Sequence, residues 1–344
     1  MKVGYVYDPV YLEHETGQHP ESARRLVAVI RDLERTGLLQ QLISIKPRVA
    51  TIEEVSLVHT KQYISEVRAL AKKGGGQLDL DTVVSPDSYK VALYAAGGTI
   101  QAIDAVMDGG MNSVFALVRP PGHHASAGRG TGFCLFNNVA IAVAYTLHKY
   151  NLERIAIVDF DVHHGNGTQD AFYTNPRVLY ISTHQSPHYP GTGWEDETGG
   201  GEARGITVNI PMPIGCGDEE YNQVFEHIII PVIRRFEPKL IVISAGYDGH
   251  WSEGLAGMNL SIAGFTQMTG IIKELADEVC DGRLVLSLEG GYNLTALSAS
   301  ISATFEVLLG KEDIKDKLGQ LPFEVTAPII TGLVRRIREM HSLH

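Results

Sequence analysis

The feature that most constrains the fold is a series of short, almost entirely apolar runs, each followed by a stretch of helical periodicity. Runs such as IAIV at 155–158 and LIVIS at 240–244 show no polar alternation, which is typical of strands buried on both faces. Seven strands are predicted at Val3–Tyr7, Ser113–Val118, Arg154–Val158, Arg177–Ile181, Ile206–Ile210, Lys239–Ser244 and Arg283–Leu288. Strands that alternate with helices predict an α/β fold with a parallel sheet and helices on both faces.

Capping residues mark the ends of several helices. Thr51-x-x-Glu54 is a capping box, and Ser85-Pro86 predicts the start of a helix that stops at Gly109-Gly110. A long loop is predicted at 74–85. Because no linker rich in Pro or Ser divides the chain, one domain is predicted over residues 1–344, with a motif-bearing core at about 17–310 and a helical C-terminal tail at about 325–344.

Charge and cysteine content narrow the class of protein. The chain carries 29 Lys and Arg against 40 Asp and Glu, a formal charge of −11, which disfavours nucleic acid as a main partner. No apolar run approaches the roughly 18 residues of a membrane span, and the start MKVGYVYDPV is typical of a strand and not of a signal peptide. The three cysteines are far apart and form no CxxC motif, so no disulfide framework is expected. A soluble, cytoplasmic protein without membrane or nucleic-acid partners is predicted.

Polar motifs rich in His, Asp and Tyr follow five of the predicted strands. In chain order they are RPPGHHA at 119–125, DFDVHHGNG at 159–167, STH at 182–184, AGYD at 245–248 and EGGY at 289–292. In parallel sheets, ligands bind beyond the carboxyl ends of the strands. The five motifs are therefore predicted to meet in one crevice.

Asp159, Asp161 and His163 have the spacing i, i+2, i+4, which places their side chains on one side of an extended segment. The alternative is a strand end with a solvated Asp pair, although two adjacent like charges repel unless a cation compensates them. Asp161, His163 and Asp248 together provide three ligands, as in catalytic zinc sites. Fe²⁺ and Co²⁺ also suit this ligand set, and the sequence does not decide between the metals.

The tandem His123-His124 follows a rigid Pro-Pro-Gly turn. A histidine can serve as general base and general acid in hydrolysis, and each imidazole then needs an orienting acceptor, for which Asp159 and Asn166 are available. Tyr292 follows two glycines and can donate its hydroxyl to a developing oxyanion. The competing interpretations are loop histidines without a catalytic role and a packed aromatic at a helix start.

Six motifs together resemble the histone deacetylase superfamily, which also includes acetylpolyamine amidohydrolases. They are RPPGHHA, GFCLFNN, DFDVHHGNGTQ, PGTG, SAGYDGH and LEGGYNL, in the family's order, and the resemblance runs from about residue 17 to about residue 297. HPESARRL and HHGNGTQ look most similar to class II and bacterial members. The resemblance implies the arginase/deacetylase fold, a single α/β domain with a mainly eight-stranded parallel sheet. It implies a metal-dependent deacetylase that removes acetyl or other acyl groups from acyl-lysine.

The resemblance also implies the ions and their ligands. One Zn²⁺ per chain would be bound by Asp161, His163 and Asp248, with Asp159 hydrogen-bonded to His123, Asn166 to His124, and Tyr292 polarising the acyl carbonyl. A structural K⁺ is implied near Asp159, Asp161, His163, Ser182 and Thr183. A second K⁺ is implied near Phe172 and Val178.

An acyl-lysine tunnel is implied, lined by Gly132, Phe133 and Tyr189 with Leu255 at its mouth. Asn166 stands where class I enzymes have Asp, and Glu253-Gly254-Leu255 stands where many relatives have Asp-Pro-Leu. The apolar Leu255 favours acyl-lysine over acetylpolyamine as the substrate. An arginase-like ureohydrolase and a non-catalytic acyl-lysine reader are the competing functions from different classes. The oligomeric state, including a homo-oligomer, is left open.

Overall fold

The computed structural model describes residues 2–322 and 326–343. The described residues form ten strands: β1 (Val3–Val6), β2 (Ile43–Ile45), β3 (Gly76–Asp79), β4 (Thr82–Val84), β5 (Ser113–Ala116), β6 (Ile155–Asp159), β7 (Val178–Gln185), β8 (Thr207–Met212), β9 (Ile241–Ala245) and β10 (Leu284–Leu288). Eight of them form one sheet in the order β2-β1-β5-β10-β9-β6-β7-β8. Every pairing in that sheet is parallel. The predicted α/β class and the eight-stranded parallel sheet are confirmed.

Helices flank the sheet. They are α1 (Arg24–Arg35), α2 (Ile52–Val55), α3 (Lys61–Lys72), α4 (Ser88–Met107), α5 (Asn138–Lys149), α6 (Asn166–Phe172), α7 (Asp218–Val224), α8 (Ile230–Phe236), α9 (Ile262–Val279), α10 (Leu294–Leu308) and α11 (Thr331–Met340). One group consists of α1, α9 and α10, in which α10 packs against both other helices, and α4 packs against α5. No helix of the described residues has the length and apolar character needed to cross a bilayer.

The central strands are buried because helices cover both faces. Every residue of β5, β6, β9 and β10 is buried, which explains why these strands are continuous apolar runs in the sequence. β2 and the β3–β4 hairpin differ, since most of their residues are exposed or half-buried. None of these three strands was predicted from the sequence. The hairpin occupies most of the segment predicted to be a loop at 74–85.

Local capping explains the helix starts. The capping box of Thr51 and Glu54 is present at the start of α2, as predicted. The start of α4 was predicted too early, since the helix begins at Ser88. The Ser88 hydroxyl accepts a hydrogen bond from the backbone N–H of Ser85 at 2.7 Å, so the residues before Ser88 form a turn.

The C-terminal segment ends in a docked helix. In α11, Leu333, Val334 and Ile337 are buried, and Arg336 forms an ion pair with Glu195 at 2.7 Å. Residues 325 and 344, the bounds of the predicted tail, lie outside the described residues.

Candidate active site

The five polar motifs belong to five strands that are contiguous in the sheet. Four begin at a carboxyl end or within three residues of it, whereas the motif at 182–184 lies inside β7, which continues to Gln185 and not only to the predicted Ile181. The sheet runs β5-β10-β9-β6-β7 through its centre, and all five strands point the same way. Their carboxyl ends therefore deliver the motifs at 119–125, 289–292, 245–248, 159–167 and 182–184 to one edge. The crossover topology brings together side chains that are up to about 170 residues apart in sequence, as parallel sheets do at ligand sites.

Asp161, His163 and Asp248 form a compact group of ligand-type side chains. One ligand atom from each residue lies within 4.8 Å of the others. His163 Nδ1 is 3.1 Å from Asp161 Oδ1 and 3.2 Å from Asp248 Oδ2. The two carboxylates are buried, and the His163 side chain is 12% exposed. In the described part of the chain no second group of this kind is found.

The two buried carboxylates of this group repel each other, and a bound cation would compensate their charges. Burial and the nearby charge of Asp161 raise the pKa of Asp248 to about 6, because two buried like charges disfavour each other. Backbone amides bind the outer carboxylate oxygens: Gly290 donates to Asp161 Oδ2 at 2.8 Å and Val162 to Asp248 Oδ1 at 3.0 Å. Asp248 Oδ2 is buried without a hydrogen-bond partner. An unpartnered buried carboxylate oxygen beside an imidazole fits a metal ligand.

His123 lies in an acidic environment. Its Nδ1 is 3.0 Å from Asp159 Oδ2, and its Nε2 is 3.8 Å from Asp161 Oδ1. Tyr180 also donates its hydroxyl to Asp159 Oδ2 at 3.2 Å. Burial alone would lower the pKa of His123, but the charges of Asp159 and Asp161 outweigh burial and raise it to about 10. A protonated His123 is therefore stabilised at neutral pH.

His124 lies in a different environment. Its Nδ1 is 2.8 Å from Asn166 Oδ1, and the Asn166 amide donates back to the carbonyl of His124 at 3.5 Å. Since an amide oxygen only accepts, Nδ1 of His124 carries the proton and Nε2 is left free to accept one. Burial, with the neighbouring His123 and His163, holds the pKa of His124 well below its ordinary value.

The Tyr292 ring lies in the same site as His124 and His163. It meets Phe133 edge-on, with 5.5 Å between ring centroids, and the Arg25 guanidinium carbon is 4.9 Å from its centroid. Burial raises the pKa of the Tyr292 hydroxyl well above its ordinary value, although the positive charge of Arg25 opposes this. The hydroxyl is therefore a donor at neutral pH.

A cavity of about 210 Å³ leads from the surface to this group. It is lined by Asp81, His124, Gly132, Phe133, His163, His188, Tyr189, Leu255 and Tyr292. All four residues predicted to line the tunnel are among them. Phe133 has a left-handed backbone, with φ of 68°, a conformation that costs a non-glycine residue roughly 1 kcal/mol or more and is common at functional sites.

Two residues that line the cavity, Asp81 and His188, were not predicted from the sequence. Asp81 lies in the turn between β3 and β4, which was not predicted. The His188 ring stacks on His163 with 5.0 Å between centroids, and its Nε2 is 3.0 Å from the carbonyl of Leu255. The segment SPHYPGTG contains both His188 and the predicted tunnel residue Tyr189. Its closeness in sequence to Tyr189 is the signal that could have identified His188.

Of the residues predicted to bind K⁺, only His163 lines this cavity. Asp159 pairs with Ser182 across β6 and β7, and the Thr183 hydroxyl is buried without a hydrogen-bond partner. Phe172 ends α6 and Val178 begins β7. The two predicted K⁺ sites remain predictions.

Comparison with known proteins identifies the family. A profile of the histone deacetylase domain matches residues 19–308. A probable deacetylase of Archaeoglobus fulgidus is 44% identical over 86% of this chain and 82% of its own length. Histone deacetylase 14, chloroplastic, of Arabidopsis thaliana is 38% identical over 96% of this chain and 83% of its own. A histone deacetylase-like amidohydrolase of Pseudomonas aeruginosa is 36% identical over 92% and 82%, respectively.

Structural similarity supports the same family assignment. The crystal structure of the HDA15 HD domain superposes on this chain with a TM-score of 0.89 and 34% sequence identity, covering 99% of this chain and 94% of that one. The resemblance predicted from the motifs is thus confirmed over most of the sequence. The chain belongs to the histone deacetylase family.

Proposed function

We propose that this protein is a metal-dependent deacetylase that hydrolyses the amide bond of acyl-lysine side chains. The observation that carries the proposal is the convergence of three groups at the inner end of one narrow cavity. These groups are the buried Asp161-His163-Asp248 cluster, His124 and Tyr292, of which His163, His124 and Tyr292 line the cavity. Family membership supports the same reaction.

Asp161, His163 and Asp248 would hold one Zn²⁺, and Fe²⁺ or Co²⁺ could take its place. Two carboxylates and one imidazole suit these metals, and three protein ligands leave room for substrate and water. The unpartnered Asp248 Oδ2 supports this assignment. When bound, the ion supplies Lewis-acid chemistry, polarising a carbonyl and lowering the pKa of water.

In the proposed reaction, His124 moves the protons. Its free Nε2 takes a proton from the attacking water, while Asn166 holds Nδ1. The oxygen of that water forms a bond to the acyl carbon. His124 then gives the proton to the amine nitrogen as the C–N bond breaks, which yields a free amine and a carboxylic acid, and the acid then releases its remaining proton to solvent. His123 does not line the cavity, and it is assigned an electrostatic role, with its positive charge held by Asp159.

Tyr292 would stabilise the oxygen of the acyl group. As that oxygen gains negative charge in the tetrahedral state, the Tyr292 hydroxyl donates a hydrogen bond to it. Phe133 and Arg25 hold the ring from two directions. The hydroxyl stays protonated through neutral pH because burial raises its pKa, so it acts as a donor and not as a base.

The cavity walls favour a linear side chain. Phe133 and Tyr189 provide aromatic surface, and the Tyr189 hydroxyl is hydrogen-bonded to the hydroxyl of Thr131, which restrains that wall. Apolar walls with few polar groups suit the methylene chain of lysine. The K⁺ sites near Asp159 and near Phe172 and a cytoplasmic location are part of this proposal. The buried free thiols Cys134, Cys216 and Cys280 support a reducing compartment.

A second candidate substrate is N-acetylpolyamine, which contains the same type of amide. Asp81 at the cavity favours it, because a carboxylate there attracts a second amine of the substrate. It equally attracts a basic peptide. The half-exposed Leu255 offers no such charge and favours acyl-lysine.

The test compares kcat/KM for an acetyl-lysine peptide with kcat/KM for N-acetylputrescine, using protein with its metal content measured by elemental analysis. We expect one zinc per chain, a higher value for the peptide, and loss of activity on chelation that added Zn²⁺ restores. A higher value for acetylputrescine would establish the second candidate. Binding without turnover in zinc-loaded protein would indicate an acyl-lysine reader. Two Mn²⁺ per chain, with release of urea when a guanidino substrate is supplied, would indicate a ureohydrolase.

A further inference from the structure

Glu253 connects the rim of the cavity to the backbone of Tyr292. Its Oε2 accepts hydrogen bonds from the backbone N–H of Tyr292 at 2.7 Å and of Asn293 at 2.9 Å. Its Oε1 accepts from its own neighbour Gly254 at 3.0 Å. One carboxylate oxygen thus holds two successive amides, and hydrogen bonds to an ionised acceptor are the stronger kind. Glu253 takes no part in the proposed proton transfers.

The two glycines before Tyr292 are anchored, since the N–H of Gly290 donates to Asp161 Oδ2 and the carbonyl of Gly291 accepts from Arg25 Nε at 2.7 Å, but the N–H of Tyr292 itself is held by Glu253. Tyr292 follows Gly290 and Gly291, and Gly291 has φ of 109°, a conformation that glycine adopts freely. A backbone that turns through two glycines does not by itself determine where the next side chain points. The two hydrogen bonds from Glu253 act directly after this turn.

A second set of bonds anchors the same segment. Asn293 caps α10 by accepting from the N–H groups of Thr295 and Ala296. Its amide also donates to the carbonyl and the hydroxyl of Ser252, at 2.9 and 3.1 Å. The residue after Tyr292 is therefore connected to a rigid helix on one side and to the rim segment Ser252–Glu253 on the other.

The rim segment also reaches the opposite wall of the cavity. Leu255, two residues after Glu253, lines the cavity. Its carbonyl is 3.0 Å from Nε2 of His188, another lining residue. Glu253 therefore lies between the residues that form the cavity mouth and the tyrosine at its inner end.

We propose that Glu253 is a positioning residue for Tyr292: its carboxylate holds the Tyr292–Asn293 backbone so that the tyrosine hydroxyl faces the acyl oxygen. This inference rests on the proposed role of Tyr292. A residue that only stabilised the rim would affect substrate binding or folding. A residue that acts through Tyr292 affects kcat, and only while the hydroxyl is present.

The experiment is a double-mutant cycle of Glu253→Ala and Tyr292→Phe, assayed with acetyl-lysine peptide. In the wild-type background we expect Glu253→Ala to lower kcat by about 10- to 100-fold, the scale of a misplaced catalytic group, with KM and zinc content little changed. In the Tyr292→Phe background the same change is expected to cost less than about twofold, because the hydroxyl it positions is absent. Equal losses in both backgrounds, or an unchanged kcat, would overturn the proposal.

Two further variants separate positioning from folding. Glu253→Gln keeps an oxygen that can accept hydrogen bonds from both backbone amides, so we expect this variant to retain most of the wild-type kcat. It also provides a test of the proposal if Glu253→Ala folds poorly. Glu274→Ala removes an exposed carboxylate from α9 and is the control expected to leave kcat unchanged. A Glu253→Gln variant as slow as Tyr292→Phe would contradict the proposal.

A crystal structure of Glu253→Ala tests the same point without activity. We expect the Tyr292 ring to leave its contact with Phe133, now 5.5 Å between centroids. A ring that stays in place would overturn the positioning role even in an active enzyme. A wild-type protein that binds zinc but hydrolyses neither amide would instead refute the proposed function, and the crystal structure would still decide the geometry.

Discussion

The pKa values of two adjacent histidines of this site are shifted in opposite directions because the histidines have different neighbours. Asp159 and Asp161 raise the pKa of His123 against the effect of its burial, whereas burial and surrounding histidines lower that of His124. The hydrogen-bond partner of His124 Nδ1 is the amide oxygen of Asn166 and not a carboxylate. Groups whose environments separate their pKa values in this way are suited to different roles in one reaction.

Asn166→Asp tests the role of that amide. Aspartate keeps an acceptor near Nδ1 of His124 and adds a negative charge, which stabilises the imidazolium and raises the pKa of His124. Because the neutral form is the proposed base, the acidic limb of kcat/KM against pH should move about one unit to higher pH. Asn166→Ala is the control and should lower kcat/KM without that displacement. A limb that stays or moves to lower pH would exclude His124 as the base.

Tyr292→Phe tests the hydroxyl alone, since the ring and its packing remain. Loss of one oxyanion donor should reduce kcat by about 10²–10³-fold while zinc stays bound. Asp248→Ala is the contrasting variant, because it removes a proposed ligand and should abolish zinc binding. Elemental analysis of both purified variants, beside their kcat values, checks the two expectations. An unchanged kcat in Tyr292→Phe would contradict the role of the hydroxyl.

At the scale of elements, the turn after β10 brings backbone against the proposed metal ligands. A Cβ on Gly290 would lie 2.6 Å from Asp161 Oδ2 and still closer to Asp248 Oδ2. The N–H of Gly290 also donates to Asp161 Oδ2. Only glycine allows this approach, so the glycine at this strand end determines how the two carboxylates are placed.

Gly290→Ala should therefore weaken zinc binding by about 10- to 100-fold, as loss of outer support for metal ligands does. Competition with a zinc-binding dye measures the affinity. Gly270→Ala in α9 is the matched control, because a Cβ there would meet nothing within 4 Å, and its zinc affinity should equal that of the wild type. Equal zinc affinities for the two variants would show that zinc binding tolerates the displacement of the Asp161 and Asp248 carboxylates by a Cβ at position 290.

The same elements show what can be predicted from the sequence. Strands such as β6 and β9 were found because burial on both faces leaves almost no polar residue within them. The edge strand β2 and the hairpin strand β3 are largely exposed, so no apolar pattern marks them. Asp81 was missed for this reason, since its place at the cavity depends on that hairpin. The residues at strand ends were found because one topological rule brings them together.

At the scale of the whole molecule, a buried ion network joins the N-terminal segment to the sheet. Arg119 follows β5 and forms two hydrogen bonds with Glu21, both at 2.8 Å. It also donates to the carbonyls of Tyr11 and His14. Arg25 extends the network to the carbonyls of Glu289 and Gly291. If one member of such a network loses its charge, the charge of its partner stays buried without compensation, which destabilises the fold.

The network and the buried histidines predict how stability depends on pH. Burial lowers the pKa of His14 and of His59 to about 4, so the unfolded chain binds more protons than the native one between about pH 6.5 and 4. Burial lowers the pKa of His184 to about 4 as well, whereas it raises the pKa of Glu289 to about 7, which opposes the effect. The three histidines outnumber Glu289, so stability should fall as pH decreases through that range. Burial alone would raise the pKa of Glu21, but Arg119 lowers it to about 2. The contribution of the Glu21 carboxylate to the free energy of unfolding is complete above about pH 4.5 and is lost as pH falls toward 2.

Urea unfolding of the metal-loaded protein at a series of pH values from 7 to 3 measures this dependence. His59→Gln separates the two causes, because glutamine does not titrate and can replace the hydrogen bonds to the carbonyl of Ser126 and the N–H of Asn137. That variant should lose less stability between pH 6.5 and 4 than the wild type, and as much below pH 4. A wild-type free energy of unfolding that stays constant from pH 7 to 4 would mean that the buried histidines do not control the acid stability of this fold.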